Sequence, residues 1–254
     1  MKVCLMKKKQ RKLKLSCLKT GVYPTVSPLN YNDPFDSHLK ITNKLITLLF
    51  NQHMQNPKFA DIYNKKTKQE KKELKKELYG IIRQNKESIK DDLFILKNSQ
   101  RSLCFSELKD SILMWSHYGK SHTGFCVEYN MKQLNEYETR YIFPVFYSDE
   151  MYDLSEQLYD INLGKSTKSM TAFLFSLIKY EGWSYEKEWR LFNLSDINNN
   201  SIKLPMIKSI YLGNNISKND ENDLIDIAKN RNYSVYQTTL HNEKFSLEFK
   251  KVDI

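Results

Sequence analysis

The sequence predicts an α+β fold in which helices flank a mixed or largely antiparallel β-sheet, either split or continuous. Two observations support this prediction. Helical patterns are concentrated in the first hundred residues, whereas short runs rich in aromatic and β-branched residues follow from residue 100 onward. Helices grouped before strands are typical of α+β domains, while a doubly wound sheet would alternate the two.

The N-terminal half contains a helical insertion. Segment 37–54 has apolar residues at near-helical spacing, with Ser37 as the expected N-cap, and segment 65–92 is a Lys- and Glu-rich helix with a narrow apolar stripe. Further helices are predicted at 112–119, 166–182 and 217–232. Strands are predicted at 101–107, 124–130, 140–148, 188–194, 207–213, 233–240 and 245–252.

The net charge of +10 is concentrated at the N-terminus. Residues 1–20 contain eight Lys or Arg residues and no acid, so the rest of the chain has a net charge of only +2. We expect residues 1–20 to be a basic, disordered tail with weak, salt-dependent contacts to nucleic acid. Residues 21–254 are expected to form one α+β domain.

Composition excludes several classes of protein. The longest apolar run, residues 45–50, is far shorter than the roughly 20 residues that cross a bilayer, so no membrane partner is expected. The basic start lacks the apolar stretch of a signal peptide, and the cysteines lack metal-ligand spacing, which together indicate a cytoplasmic protein with reduced thiols. There is also no glycine-rich phosphate loop, and no metal cofactor is predicted.

The first candidate cluster lies at residues 30–36, where Asn32 and Asp33 precede a proline. This chemistry predicts a turn. The functional alternative is that Asn32 and Asp33 bind the hydroxyl groups of a ligand while Phe35 anchors the loop.

The second cluster surrounds a predicted short helix at 112–119. His117 could donate a hydrogen bond to a phosphate or a ribose, with Trp115 or Tyr118 as a stacking surface and Ser106 nearby as a further substrate contact. The alternative is that His117 is a structural histidine with no ligand.

The third cluster is the sequence SYEKEWRLF, residues 184–192, which reads as a strand. Alternation would then place Glu186, Glu188 and Arg190 on one face, so that Arg190 keeps one carboxylate ionised while burial raises the pKa of the other. Two alternatives remain open. The three charges could form a structural ion-pair row, or the segment could be a helix with a surface pair between Glu186 and Arg190.

Four motifs in this order resemble a bacterial family of unassigned role, domain of unknown function 2971. The motifs lie at residues 31–36, 104–129, 178–192 and 207–217. The resemblance extends over most of the chain from about residue 22. It implies no particular reaction.

A second, weaker resemblance does imply one. Glu186 and Glu188, separated by one residue, are similar to the carboxylate motif of ADP-ribosyltransferase-like enzymes, whose split sheet binds NAD. The resemblance implies that Glu188 stabilises the oxocarbenium-like transition state and that Glu186 orients the acceptor. Arg190 would position them, and NAD would be the co-substrate.

We therefore expect an ADP-ribosyltransferase-like enzyme or a degenerate relative of one, acting on an unidentified acceptor macromolecule as a toxin or a phage-defence effector. One alternative is a non-catalytic module that binds a nucleotide, RNA or a protein. Another is a metal-dependent nuclease that uses Glu186, Glu188 and either His117 or His122.

Overall fold

The structure is a computed structural model that describes residues 2–6, 11–134, 141–167, 173–174, 176–193 and 200–254. Its contacts divide the chain into two compact units. Unit 1 comprises Met1–Val26, Arg101–Val145 and Glu181–Ile254, and unit 2 comprises Ser27–Gln100 and Phe146–Tyr180. Unit 2 forms because a segment of about 70 residues and a second segment of about 35 residues contact each other, and the single domain expected for residues 21–254 stays a prediction.

The strands and helices are numbered along the whole chain. The strands are β1 (Lys2–Met6), β2 (Val22–Pro24), β3 (Leu39–Lys40), β4 (Ser102–Ser106), β5 (Phe125–Tyr129), β6 (Ile142–Pro144), β7 (Phe146–Ser148), β8 (Tyr152–Asp153), β9 (Ile178–Tyr180), β10 (Glu188–Phe192), β11 (Ser201–Lys203), β12 (Ile207–Leu212), β13 (Ser234–Leu240) and β14 (Leu247–Val252). The helices are α1 (Arg11–Thr20), α2 (Lys44–Met54), α3 (Pro57–Lys65), α4 (Lys68–Ser99), α5 (Ile112–His117), α6 (Ser155–Asn162) and α7 (Lys218–Arg231).

Unit 1 is built on an eight-stranded sheet in the order β14, β13, β12, β5, β1, β4, β10, β6. Its neighbouring strands are antiparallel except for β12 and β13, which are parallel and joined through α7. The α+β class with a mixed, mostly antiparallel sheet is therefore confirmed. Ser217 caps α7, with its hydroxyl accepting from the Asp220 amide.

The two faces of this sheet differ in chemistry. One face carries the main apolar core of unit 1, which includes Phe105, Val127 and Leu191 together with residues of α1 and α7. Because side chains alternate along a strand, the residues between these, such as Glu128 and Arg190, lie on the opposite face. We call that opposite face the polar face, although it also carries a second, smaller apolar cluster formed by Trp115, Cys126, Tyr211 and Leu247.

The N-terminal segment takes part in this sheet. Strand β1 pairs with β5 on one side and β4 on the other, so it lies inside the sheet and not at its edge. Helix α1 buries Cys17 and Leu18 in the core. The disordered tail expected at residues 1–20 is thus not what the structure shows, because residues 2–6 pair within the sheet and α1 contributes to the core; residues 1 and 7–10 lie outside the described part.

Unit 2 consists of α2, α3, α4 and α6 with two short parallel strand pairs, β3 with β8 and β7 with β9. Helix α4 begins with a capping box formed by Thr67 and Glu70. Helix α2 begins at Lys44 and not after Ser37, which instead has a left-handed backbone (φ of 59°) and donates to the Asp36 carboxylate.

The helix predicted at 166–182 is wrong at its C-terminal end, because Ile178–Tyr180 form β9 and Glu181–Glu186 form a 3₁₀ helix. Residues 168–172 and 175 of that prediction lie outside the described residues. Across the described ranges, no helix combines the length and apolar character that a membrane crossing requires.

Candidate functional site

Three of the predicted residues lie together on the polar face of unit 1, namely Ser106, Glu188 and Arg190. Glu188 on β10 is the register partner of Ser106 on β4, and both are buried. Continuing along the same row, Ser106 pairs with Val3 of β1, and Val3 pairs with Glu128 of β5. Glu188 and Glu128 are therefore three strand spacings apart, roughly 14 Å at the backbone.

Arg190 holds Glu188 from the same strand face. Its Nε donates to Glu188 Oε1 at 2.8 Å and its Nη2 donates to Oε2 at 3.1 Å. Both side chains are nearly inaccessible, at 1% exposure for Arg190 and 6% for Glu188. This two-point contact fixes the orientation of the carboxylate and favours its ionised form. The predicted sharing of a face by Glu188 and Arg190 is confirmed.

Glu186 reaches the same region by a different backbone path. The strand predicted for 184–192 begins only at Glu188, because residues 181–186 form a 3₁₀ helix and Lys187 has a φ of 45° that breaks the alternation. Glu186 is nevertheless buried. Its Oε1 accepts from the Tyr118 hydroxyl at 2.5 Å, and its backbone oxygen accepts from the Ser106 hydroxyl at 2.6 Å.

These contacts connect Glu186 with the strand that contains Glu188 and Arg190. Ser106 links the end of the 3₁₀ helix to β4, and β4 is hydrogen-bonded to the strand that carries Glu188. Tyr118, at the C-terminus of α5, orients the carboxylate of Glu186. The structure thus brings Ser106, Tyr118, Glu186, Glu188 and Arg190 into one connected network.

His117 is exposed and lies among aromatic rings that the sequence analysis did not assign to it. Its ring centroid is 6.2 Å from that of Trp183 and 6.5 Å from that of Tyr185, and these two rings are 6.0 Å apart. The three planes are inclined to one another by 31–66°. We call His117, Trp183 and Tyr185 the ring cluster. The spacing of His117 gave no sign of these partners, which come from the 3₁₀ helix.

Trp115 has a structural position and does not suit the predicted stacking role. Its side chain is fully buried, its Nε1 donates to the Lys109 carbonyl at 2.7 Å, and its ring stacks on that of His122. A ring with no exposed face cannot stack on a ligand, because its surface is already in contact with protein. Burial also lowers the pKa of His122, whose Nδ1 has no hydrogen-bond partner among the described residues.

The candidates Asn32 and Asp33 belong to unit 2. Asp33 forms the predicted turn, with Oδ1 accepting from the Phe35 amide at 2.9 Å. Its Oδ2 is buried and has no partner in the described ranges of the chain, while Asn32 is exposed. Phe35 is 61% exposed, so the expectation that it anchors the loop is wrong.

A charged network that the sequence did not predict lies at the other end of the same sheet row. Glu128 is 1% exposed and accepts from Lys208 Nζ at 2.7 Å and from the Tyr211 hydroxyl. Lys109 donates to the Tyr211 hydroxyl at 3.1 Å. We call Lys109, Glu128, Lys208 and Tyr211 the lysine corner. Its signal in the sequence is a single acid, Glu128, inside the otherwise apolar strand GFCVEY.

The charges of the lysine corner set the protonation of its members. Burial acts to raise the pKa of Glu128, but the hydrogen bonds from Lys208 and Tyr211 and the charges of both lysines outweigh it, so this pKa lies below its ordinary value. Burial, followed by the bond to the Glu128 carboxylate, raises the pKa of Tyr211 far above 10. Glu128 is thus ionised and Tyr211 neutral near pH 7.

Within the described ranges, no three or more His, Cys, Asp or Glu side chains are grouped so that they could hold a metal ion. The nuclease alternative would need such a group at Glu186, Glu188 and one of the two histidines. In the structure, Glu186 and Glu188 contact Tyr118 and Arg190 instead.

Comparison with known proteins supports the first resemblance. A family model described as a protein of unknown function, DUF2971, matches residues 114–191, which include the last four residues of α5 and the first four residues of β10. That segment contains Glu186, Glu188 and Arg190, and it is less than half of the chain. No curated protein and no solved structure matches the chain.

Proposed function

We propose that this protein is an ADP-ribosyltransferase-like enzyme, or a degenerate relative of one, that uses NAD as co-substrate. The observation that carries the proposal is the network around Glu188: a buried carboxylate held by Arg190, paired in register with Ser106, and preceded two residues earlier by the buried Glu186. The proposed location is cytoplasmic, and the proposed biological role is that of a toxin or a phage-defence effector.

The chemistry requires a fixed negative charge. When the bond between the ribose C1′ and the nicotinamide nitrogen breaks, the electron pair leaves with nicotinamide and the ribose gains positive charge. A buried, ionised carboxylate stabilises that charge more strongly than water does, because it is already oriented and needs no reorganisation. Arg190 keeps Glu188 in this state, and we assign Glu188 as the catalytic residue and Arg190 as its positioning residue.

Glu186 is proposed as the residue on the acceptor side. The Tyr118 hydroxyl donates to it at 2.5 Å and so fixes one of its two oxygens. We assign Tyr118 as the positioning residue for Glu186. The ring cluster, in which His117 is exposed and Trp183 and Tyr185 are half-buried, offers aromatic surface close in sequence to both, and it replaces Trp115 in the proposed contacts with the ligand.

The test is release of nicotinamide from NAD by the purified protein, measured by liquid chromatography. Glu188→Gln keeps the size of the side chain and removes its charge, so we expect at least a 100-fold lower rate. Glu181→Gln is the matched control, because Glu181 is an exposed carboxylate in the neighbouring 3₁₀ helix. Equal rates in wild type and Glu188→Gln would contradict the proposal.

One observation favours a second candidate, a non-catalytic binding module. Arg190 contacts both oxygens of Glu188, as it would in a structural ion pair. Such a module would release no nicotinamide but would still bind a nucleotide, RNA or a protein in a saturable manner. Absence of turnover together with saturable binding of NAD would therefore favour the module over the enzyme.

A further inference from the structure

We propose that the lysine corner of unit 1 is a binding site for the phosphate of a small nucleotide. The corner lies at the β12 side of the polar face, away from the network around Glu188, and no role has been assigned to it so far. Phosphate binding there does not require any reaction at Glu188, so the inference stands or fails separately from the proposed enzyme.

Lys109 supplies a positive charge at this corner. Its ammonium group donates to the neutral hydroxyl of Tyr211 at 3.1 Å, and no carboxylate of the described chain lies within ion-pair distance of it. The side chain is half-buried, and its ammonium lies 4.8 Å from the ring centroid of Tyr211 and 5.2 Å from that of Phe249. Lys109 is therefore a fixed positive charge that shares the single carboxylate of Glu128 with Lys208.

The lysine corner contains two positive charges and one negative charge. Glu128 is one negative charge, and its two oxygens accept from Lys208 and Tyr211. Lys208 is 59% exposed and is the ion-pair partner of Glu128, so the pair is neutral. The charge of Lys109 remains, which leaves the corner with a net charge of +1. An anion would complete it, and lysine is a common phosphate ligand in proteins.

The groups that contact Lys109 are held in place by buried rings. Tyr211 is 2% exposed, and its ring stacks on Tyr236 with centroids 5.1 Å apart. The Lys109 carbonyl accepts from Trp115 Nε1, which ties the backbone of this lysine to a fully buried side chain. Buried rings therefore hold both the backbone of Lys109 and the hydroxyl that its ammonium contacts. The ammonium is thus positioned before a ligand arrives, which reduces the entropy lost on binding.

The phosphate is assigned to a small nucleotide because of an aromatic ring beside Lys109. Phe249 is half-buried, its ring centroid lies 5.2 Å from the Lys109 ammonium, and it offers aromatic surface on which a base can stack. A carboxylate ligand would also carry negative charge. Phosphate is favoured because it has several acceptor oxygens, which can accept from Lys109 and from the exposed ammonium of Lys208 together.

The experiment is calorimetric titration of the whole protein with ADP, inorganic pyrophosphate and adenosine. We expect ADP and pyrophosphate to bind and the phosphate-free adenosine to bind at least tenfold more weakly than ADP. Lys109→Met should weaken ADP binding at least tenfold, whereas Lys109→Arg, which keeps the charge, should stay within about threefold of wild type.

Lys250→Met is the matched control, because it removes an exposed lysine of β14 that lies outside the lysine corner. We expect its effect on ADP affinity to be smaller than that of Lys109→Met. Thermal unfolding of each variant verifies the fold, and the comparison of ADP with adenosine on the wild-type protein supplies the answer if Lys109→Met does not fold. Equal ADP affinity in wild type and Lys109→Met, equal affinity for ADP and adenosine, or no binding of ADP and pyrophosphate at millimolar concentration would overturn the proposal. ADP binding without nicotinamide release would support the phosphate site and count against the enzyme.

Discussion

Replacing Tyr211 with phenylalanine tests whether the lysine corner stabilises unit 1. The hydroxyl of Tyr211 donates to the buried carboxylate of Glu128 and accepts from Lys109. A hydrogen bond to a charged group contributes about 1.5–3 kcal/mol to stability, and its removal leaves a 1% exposed carboxylate with one donor fewer. We therefore expect Tyr211→Phe to lower the free energy of unfolding by about 1.5–3 kcal/mol.

The assay is urea denaturation followed by tryptophan fluorescence. All three tryptophans, Trp115, Trp183 and Trp189, belong to unit 1, so the signal reports on that unit. The slope of the free energy against urea should not change, because the variant exposes no additional surface on unfolding.

Tyr236→Phe is the control for this measurement. Tyr236 is half-buried and stacks on Tyr211, but its hydroxyl has no hydrogen-bond partner in the described residues. Its removal should change stability by less than about 0.5 kcal/mol. A Tyr211→Phe variant that is as stable as Tyr236→Phe would refute the assignment of a charged network at this corner.

Three further predictions follow from the contacts of the chain. Gly213→Ala should destabilise unit 1 severely, since its Cβ would lie 2.1 and 2.7 Å from backbone oxygens, whereas Gly80→Ala, in an open helical position, should stabilise by about 0.5–1 kcal/mol; thermal unfolding compares the two. The folded pKa of Glu128 lies below its ordinary 4.5, so its ionised form contributes to folding stability above pH 4.5, and this contribution is lost as the pH falls through the lower folded value. Glu128→Gln should therefore flatten the acid side of a plot of unfolding free energy against pH. Arg190→Met removes the guanidinium from the buried Glu188 and should cost about 3–5 kcal/mol in urea denaturation; a cost below 1 kcal/mol would contradict a buried ion pair.

The parts of the fold that the sequence predicted depend on local patterns. Strands β4, β5, β10, β12, β13 and β14 fall within predicted segments, because aromatic and β-branched residues alternate there. Strand β1 was missed, since its short apolar stretch is surrounded by lysines and its stability comes from pairing with β4 and β5, which are distant in sequence. The division into two units likewise depends on contacts between distant segments.

The candidate site shows the same limit. Alternation correctly placed Glu188 and Arg190 on one face, because both lie within one regular strand. Glu186 was assigned to that strand because its neighbours are aromatic, and aromatic residues also fit the 3₁₀ helix that the structure shows. The burial of Trp115 and the partners of His117 are tertiary contacts, which spacing along the chain does not encode.

The most direct test of the central proposal measures binding and turnover of NAD on the same sample. Wild-type protein and Glu188→Gln are each mixed in excess over NAD, and bound NAD and released nicotinamide are followed over time. We predict that both proteins bind NAD and that Glu188→Gln releases nicotinamide at least 100-fold more slowly. Equal release by the two proteins, or no release by wild type although NAD is bound, would contradict the assignment of Glu188 as a catalytic carboxylate.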